Sequence, residues 1–299
     1  MRAVRFFAVL CMVAIAVPAF VGNGYGAGSA VVEAEGYSCM GEERSRKEAK
    51  EGAFIDAKKK ASEAVLSHIK SETKLDTGEL VKDIVEAYSA SDVKIIEKKE
   101  IGWYKDEHAG ECFKVWIRAE IVPDEKALAK AGKGASDDNP AALLNVKVWT
   151  DKKEYRKGDK IRIFVKGNKP FYGRVVYKDA SGNSVQLLPN PYRRENYFNG
   201  GVIYEVPAGG DKFVLEVAPP FGSENVIVYA SVSELGEIGV KAEGGVYEVT
   251  TVPADIGRAS RAIKVKFDGG RSSGTQYEAS KVSAPSEFFE ETVEVKTGE

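Results

Sequence analysis

The side chains that could do chemistry in these 299 residues are few and far apart. The two histidines are His68 and His108. His68 closes the apolar stripe of a helix with no Ser, Cys or paired carboxylate beside it, so it reads as a packing residue and not as a base. His108 falls in an exposed turn. No grouping of ligands suits zinc. Asp137, Asp138 and Asn139 could touch a cation, but no carboxylate closes the set at the spacing of a calcium loop. Gly132-Lys133-Gly134 lacks the glycine spacing and the following Ser or Thr of a phosphate loop. Glu290-Glu291 reads as a solvated edge. The expectation is a protein with no catalytic residue, no metal and no cofactor. A hydrolase whose residues converge from distant strands is a third reading, which a deep polar pocket would favour.

Recognition is better supported. Residues 189–199 form a long loop with Tyr192, Arg193, Arg194, Tyr197 and Phe198 as contact candidates. Tyr and Arg combine contact area with directed hydrogen bonds, and a loop on a rigid β-scaffold is where such groups act. The structural alternative is that Tyr197 and Phe198 cap a core while Arg193 and Arg194 are merely solvated. Phe171-Tyr172 poses the same choice, with packing favoured. A glycan- or peptidoglycan-binding module is the second functional reading, with Tyr192, Tyr197 and Phe198 stacking on sugar rings.

The stretch that must hold this loop is residues 145–231, where short β-branched and aromatic runs are separated by Gly, Pro, Asn and Asp. Val146 and Val148, then Ile161, Ile163 and Val165, alternate with polar or aromatic partners, which gives each strand one apolar face. Gly158 and Asp159 write a turn between them. Asp179-Ala180-Ser181-Gly182-Asn183 joins the next two strands as a hairpin. Leu188-Pro189-Asn190-Pro191 ends the second, since proline cannot donate to a ladder. Residues 204–206, 213–217 and 226–230 supply further strands. After Ser231 the turns become denser, and residues 291–297 alternate again as a closing strand of the same unit.

Residues 31–124 read as a small α+β unit. An alternating strand is followed by a capping box, Ser45 with Glu48. The helix it opens carries Ala49, Ala53, Ala57, Ala61, Ala64, Val65 and His68 along one stripe, suited to lying close on a sheet. A second helix covers residues 79–88, and a hairpin closes the unit with Phe113, Val115, Ile117, Ala119 and Ile121 facing the helices. The fold class expected is an α+β N-terminal domain (strand, helices, hairpin) followed by an all-β, sandwich-like C-terminal domain. The boundaries are 31–126 for the first domain, 127–142 for a flexible linker and 143–299 for the second.

The first residues read as an address. Arg2 and Arg5 precede an apolar run at 6–20 and small residues at 26–30, the three regions of a secretory signal peptide, placed at 1–28 with cleavage near Gly28 or Ala30. The run is about fifteen residues against the roughly 20 that span a bilayer. No transmembrane segment is expected after cleavage, and the location expected is periplasmic or secreted. Cys39 and Cys112 then remain, an even count in an oxidising compartment, both on the strand face opposite the apolar one. A disulfide is expected, closing a loop of about seventy residues worth ~4 kcal/mol in the chain-entropy model. Losing Arg2 and Arg5 takes the formal net charge from −2 to −4. A mildly acidic, mixed surface argues against electrostatic binding of nucleic acid or of anionic lipid, and no nucleic-acid partner is expected. An envelope protein or a cell-wall component is the partner class expected.

Two resemblances bear on this. Val148-Trp149-Thr150-Asp151, Tyr155 with Gly158-Asp159, Phe171-Tyr172, Asp179 with Gly182, Leu188-Pro189-Asn190, Pro219-Pro220 with Gly222, and Ala230-Ser231 fall in the order of an exported bacterial domain-of-unknown-function family, number four-three-eight-four. The resemblance implies a β-sandwich-like module of envelope proteins with no assigned reaction. Residues 31–36, the alanines at 49, 53, 57 and 61, and residues 115–121 resemble the N-terminal domain of flagellar assembly protein T and related small outer-membrane lipoproteins. That resemblance implies a structural or assembly role in the envelope. Lipid attachment does not carry over, because Leu10 before Cys11 breaks the lipobox.

Overall fold

The computed structural model describes residues 27–42, 44–72, 79–124, 126–127, 138–140, 142–262 and 282–299. Most of the run read as a signal peptide, with Cys11, most of the expected linker with Gly132-Lys133-Gly134 and Asp137, and residues 272–281 lie outside the described residues.

The N-terminal part is built as its periodicity dictates. In the capping box the Ser45 backbone N–H donates to Glu48 Oε2 at 2.7 Å and the Glu48 N–H to Ser45 Oγ at 3.3 Å. The Ser45 N–H bond holds the Glu48 carboxyl below its usual range. The cap opens α1 (Arg46–Glu72), whose buried stripe steps by four through Ala49, Ala53, Ala57, Ala61, Val65 and Ile69. His68 lies beside that stripe, half-buried, and Ile69 takes its last place. The stripe packs on β1 (Ala27–Cys39) and β3 (Gly110–Val122), against Val32, Ala34, Phe113, Val115, Ile117, Ala119 and Ile121. α2 (Glu79–Ser89) adds Ile84 and Tyr88, and β2 (Asp92–Asp106) forms the outer edge. Contact between α1 and β1 is so close that a Cβ on Gly36 would stand 2.2 Å from the Ala53 carbonyl oxygen. Gly36→Ala is expected to lift α1 and cost about 2 kcal/mol in a denaturant titration; an unchanged midpoint would refute this packing.

The C-terminal part is sandwich-like. β4 (Val146–Thr150), β6 (Ile163–Gly167) and β10 (Tyr204–Val206) form a three-stranded antiparallel sheet in the order β10-β6-β4. Its apolar face packs Val146, Val148, Ile163, Val165 and Val206 on Val175, Leu187, Leu188, Val226, Val228 and Val295 of the large sheet. The large sheet contains β5 (Glu154–Arg156), β7 (Phe171–Lys178), β8 (Ser184–Leu188), β9 (Tyr197–Phe198), β11 (Ser223–Ser231), β12 (Val240–Glu243), β13 (Val246–Val249) and β14 (Ser286–Gly298). At the β5 turn Gly158 takes φ +81° and Asp159 Oδ2 accepts the Arg156 N–H at 3.0 Å, as the turn chemistry requires. Residues 213–217 do not form a strand of their own. They bond to residues 158–161 through the Ile161, Gly158 and Val217 amides.

Both parts share one sheet. Its order is β12-β13-β8-β7-β11-β14-β1-β3-β2, with β5 beside β14 and β9 beside β7. The closing strand expected at 291–297 lies within β14 and pairs with β11. Its first residues also pair with β1, from Ala27↔Glu290 to Val31↔Ser286. Alternation across this junction puts α1 and the three-stranded sheet on one face. On the other face sits α3 (Pro253–Ser260), a helix the sequence reading did not contain, over Val31, Val176, Tyr229 and Phe288. Pro253 starts it, and Ile256 and Ser260, one turn apart, are its buried residues.

Candidate functional site

The loop that leaves β8 is organised by one buried amide. The chain passes a cis Leu188–Pro189 bond, and Asn190 then turns inward with no exposed surface. Asn190 Oδ1 accepts the backbone N–H groups of Tyr192 (2.9 Å) and Arg193 (2.7 Å). Its Nδ2 donates to the Leu187 carbonyl (3.1 Å) and to Asp211 Oδ1 (2.9 Å), so both donors and both lone pairs are used. Asp211, also fully enclosed, accepts the Ala208 N–H at 2.7 Å and faces the Arg193 guanidinium at 3.5 Å. Further along, the Gly173 N–H donates to the Asn196 carbonyl and the Asn199 N–H to the Tyr204 hydroxyl. The loop is therefore tied to β7, β8 and β10.

This frame sorts the five contact candidates. Phe198 is 1 % exposed, stacked on Phe171 with centroids 4.9 Å apart and edge-on to Tyr204. As a surface contact Phe198 is thus corrected: in β9 its side chain points to the core, where Phe171 also lies. Tyr197, its neighbour, points the other way, 51 % exposed, with its ring edge-on to Tyr172 at 5.2 Å. Tyr192 is 59 % exposed and reaches the β12–β13 turn at Gly245. Arg193 is committed to Asp211 and to the Glu205 carbonyl. Arg194 is exposed. Tyr172, for which the sequence favours packing, is partly buried against the cluster of Val31, Val176, Tyr229 and Phe288 and meets the Tyr197 ring edge-on.

On the face that carries Tyr172 and Tyr197, Arg174 is buried beneath α3. Its guanidinium donates to Gln186 Oε1 (2.9 Å), Ser260 Oγ (2.6 Å) and the Gly236 carbonyl (2.8 Å), all neutral acceptors. Burial pulls its pKa down to about 10. The cation locks α3 and the 232–236 segment to the sheet.

The two histidines lie in different elements, His68 in α1 and His108 between β2 and β3. His108 sits in the β2–β3 turn, where its backbone N–H and that of Ala109 donate to Asp106 Oδ1, which keeps the Asp106 carboxyl low. Cys39 and Cys112 are register partners of β1 and β3 and form a disulfide. Among the described residues no group of three His, Cys, Asp or Glu could hold a metal ion, and no helix is long and apolar enough to cross a membrane.

No curated protein matches the chain. Residues 154–234, which run from β5 to just past β11 and enclose the whole of the anchored loop, match the family model described as a domain of unknown function, DUF4384.

Proposed function

We propose that this protein is a non-catalytic, extracytoplasmic factor of a bacterial envelope that binds or assembles with a protein partner through the loop at 189–199. The observation that carries the reading is the anchoring of that loop: Asn190 and Asp211 hold the backbone rigid while Tyr192, Arg194 and Tyr197 stand in solvent. A preorganised loop loses little entropy on binding, and exposed Tyr and Arg are the residue types that dominate interface energies. The apolar run at the start of the sequence and the disulfide support the location.

The test is affinity capture of partners from envelope extract. Tyr197→Ala is expected to weaken capture ~10-fold or more with the melting point unchanged. Asn190→Ala should release the loop, abolish capture and cost about 2 kcal/mol, because Asp211 keeps its burial and loses a donor. Equal capture by wild type and both variants would reject the reading.

A further inference from the structure

We propose that a second copy of this chain pairs antiparallel with the edge of β12, joining two large sheets across a two-fold axis at Ala242. β12 and β2 are the two ends of the sheet. The β2 end is guarded. Its register slips between Ile95 and Glu97 and again between Glu100 and Gly102, and Lys94, Lys98, Lys99 and Lys105 lie along it, devices that keep an edge from adding a strand. β12 has no such slip: its four residues are all exposed, its register with β13 is unbroken, and its one lysine, Lys241, is followed two residues later by Glu243.

The turn decides which backbone groups of β12 face outward. Gly244 and Gly245 take φ +54° and +94°, the two-residue turn that makes Glu243 and Val246 a hydrogen-bonded pair. Bonding alternates from there, so Lys241 and Gly239 also turn their groups toward β13, and the Thr250 N–H donates to the Gly239 carbonyl at 2.9 Å in the same phase. Val240 and Ala242 therefore point their amide and carbonyl groups away from the sheet. An antiparallel copy bonds through those two residues, which leaves three registers. Val240 opposite Val240 sets Lys241 against Gly239. Val240 opposite Ala242 sets Lys241 against Lys241, a repulsion. Ala242 opposite Ala242 sets Lys241 against Glu243 of the copy and Glu243 against Lys241 of the copy, all on one face. Within its own hairpin Lys241 approaches Glu248 at 3.8 Å, both side chains more than half exposed, so in this register its ammonium lies between two acids. The pairing is isologous and closes on itself. That self-complementarity selects a second copy over a foreign strand, and the short edge makes the dimer weak and concentration-dependent.

The experiment is sedimentation equilibrium of the chain from Ala27 onward, the whole of the described fold. Wild type is expected to dimerise with a dissociation constant of ~100 μM or below. Lys241→Glu leaves acids at both edge positions and Glu243→Lys leaves lysines at both, so each variant alone should self-associate at least ~10-fold more weakly. Mixed together, the two variants meet with opposite charges and should form a heterodimer as tight as the wild-type dimer. Ala242→Pro should abolish pairing without touching the bonds to β13, since the N–H it removes bonds only across the axis. Tyr197→Ala should leave the dimer unchanged. Both charge reversals are at exposed positions, and recovery in the mixture separates lost complementarity from lost folding. A wild type that stays monomeric up to ~300 μM, or a mixture that associates no better than either variant alone, would overturn the proposal. Neither result touches the loop, whose test reads capture of an envelope protein.

Discussion

Phe288→Ala is expected to destabilise the protein by about 3–5 kcal/mol, the cost of removing a buried ring that cannot be repacked. Phe288 lies in β14 between Ser29 of β1 and Ser231 of β11, and its ring packs with Val31, Tyr229 and Ile256 under the Arg261 guanidinium. It therefore touches the N-terminal part, the sandwich and α3 together. The loss should appear as one cooperative transition in urea, shifted as a whole. Hydrogen exchange is the sharper probe: amide protection of Val115 and Ile117 in β3 should fall together with that of Val175 and Val176 in β7. If only α3 loosens while β3 keeps its protection, the two parts do not form one cooperative unit.

Reduction of the Cys39–Cys112 disulfide is expected to cost about 4 kcal/mol, from the entropy returned to an unfolded chain when its loop is opened. The two residues are 73 apart in sequence and pair directly between the ends of β1 and β3. Cys112 has no exposed surface, so the folded protein should resist mild reductant and lose the bond once unfolded. A drop of about 10 °C in the melting midpoint follows for a chain of this size. The Cys39→Ser/Cys112→Ser double variant should melt with the reduced wild type. Equal midpoints with and without reductant would show that the pairing of β1 with β3 alone supplies this stability.

Much of this architecture is legible in the chain because local rules express it. The four-residue step of alanines, the Ser45–Glu48 cap and the Gly158-Asp159 turn each depend on neighbours within a few residues. The cysteine pair is legible by parity, since strand alternation fixes the face of each. What cannot be read is pairing at long range. The alternation of residues 291–297 shows a strand, but nothing local says that its N-terminal extension also pairs with β1. The helix α3 is hidden by its length of eight residues and by Gly257 at its middle. At the loop, a strand as short as β9 gives alternation too few residues to tell Tyr197 from Phe198. Asn190 reads from sequence only as part of a strand terminator, whereas its buried hydrogen bonds depend on Asp211, twenty-one residues away.

The position of β14 also dictates an order of events. The pairs run from Ala27↔Glu290 to Val31↔Ser286, so the seam between the two halves is closed by residues 255 to 263 positions later in the chain. Until they arrive, β1 and β11 both present bare edges, the template on which other chains can add. High contact order of this kind makes maturation slow. A chain synthesised from its N-terminus would then keep both edges open to other chains until β14 is delivered.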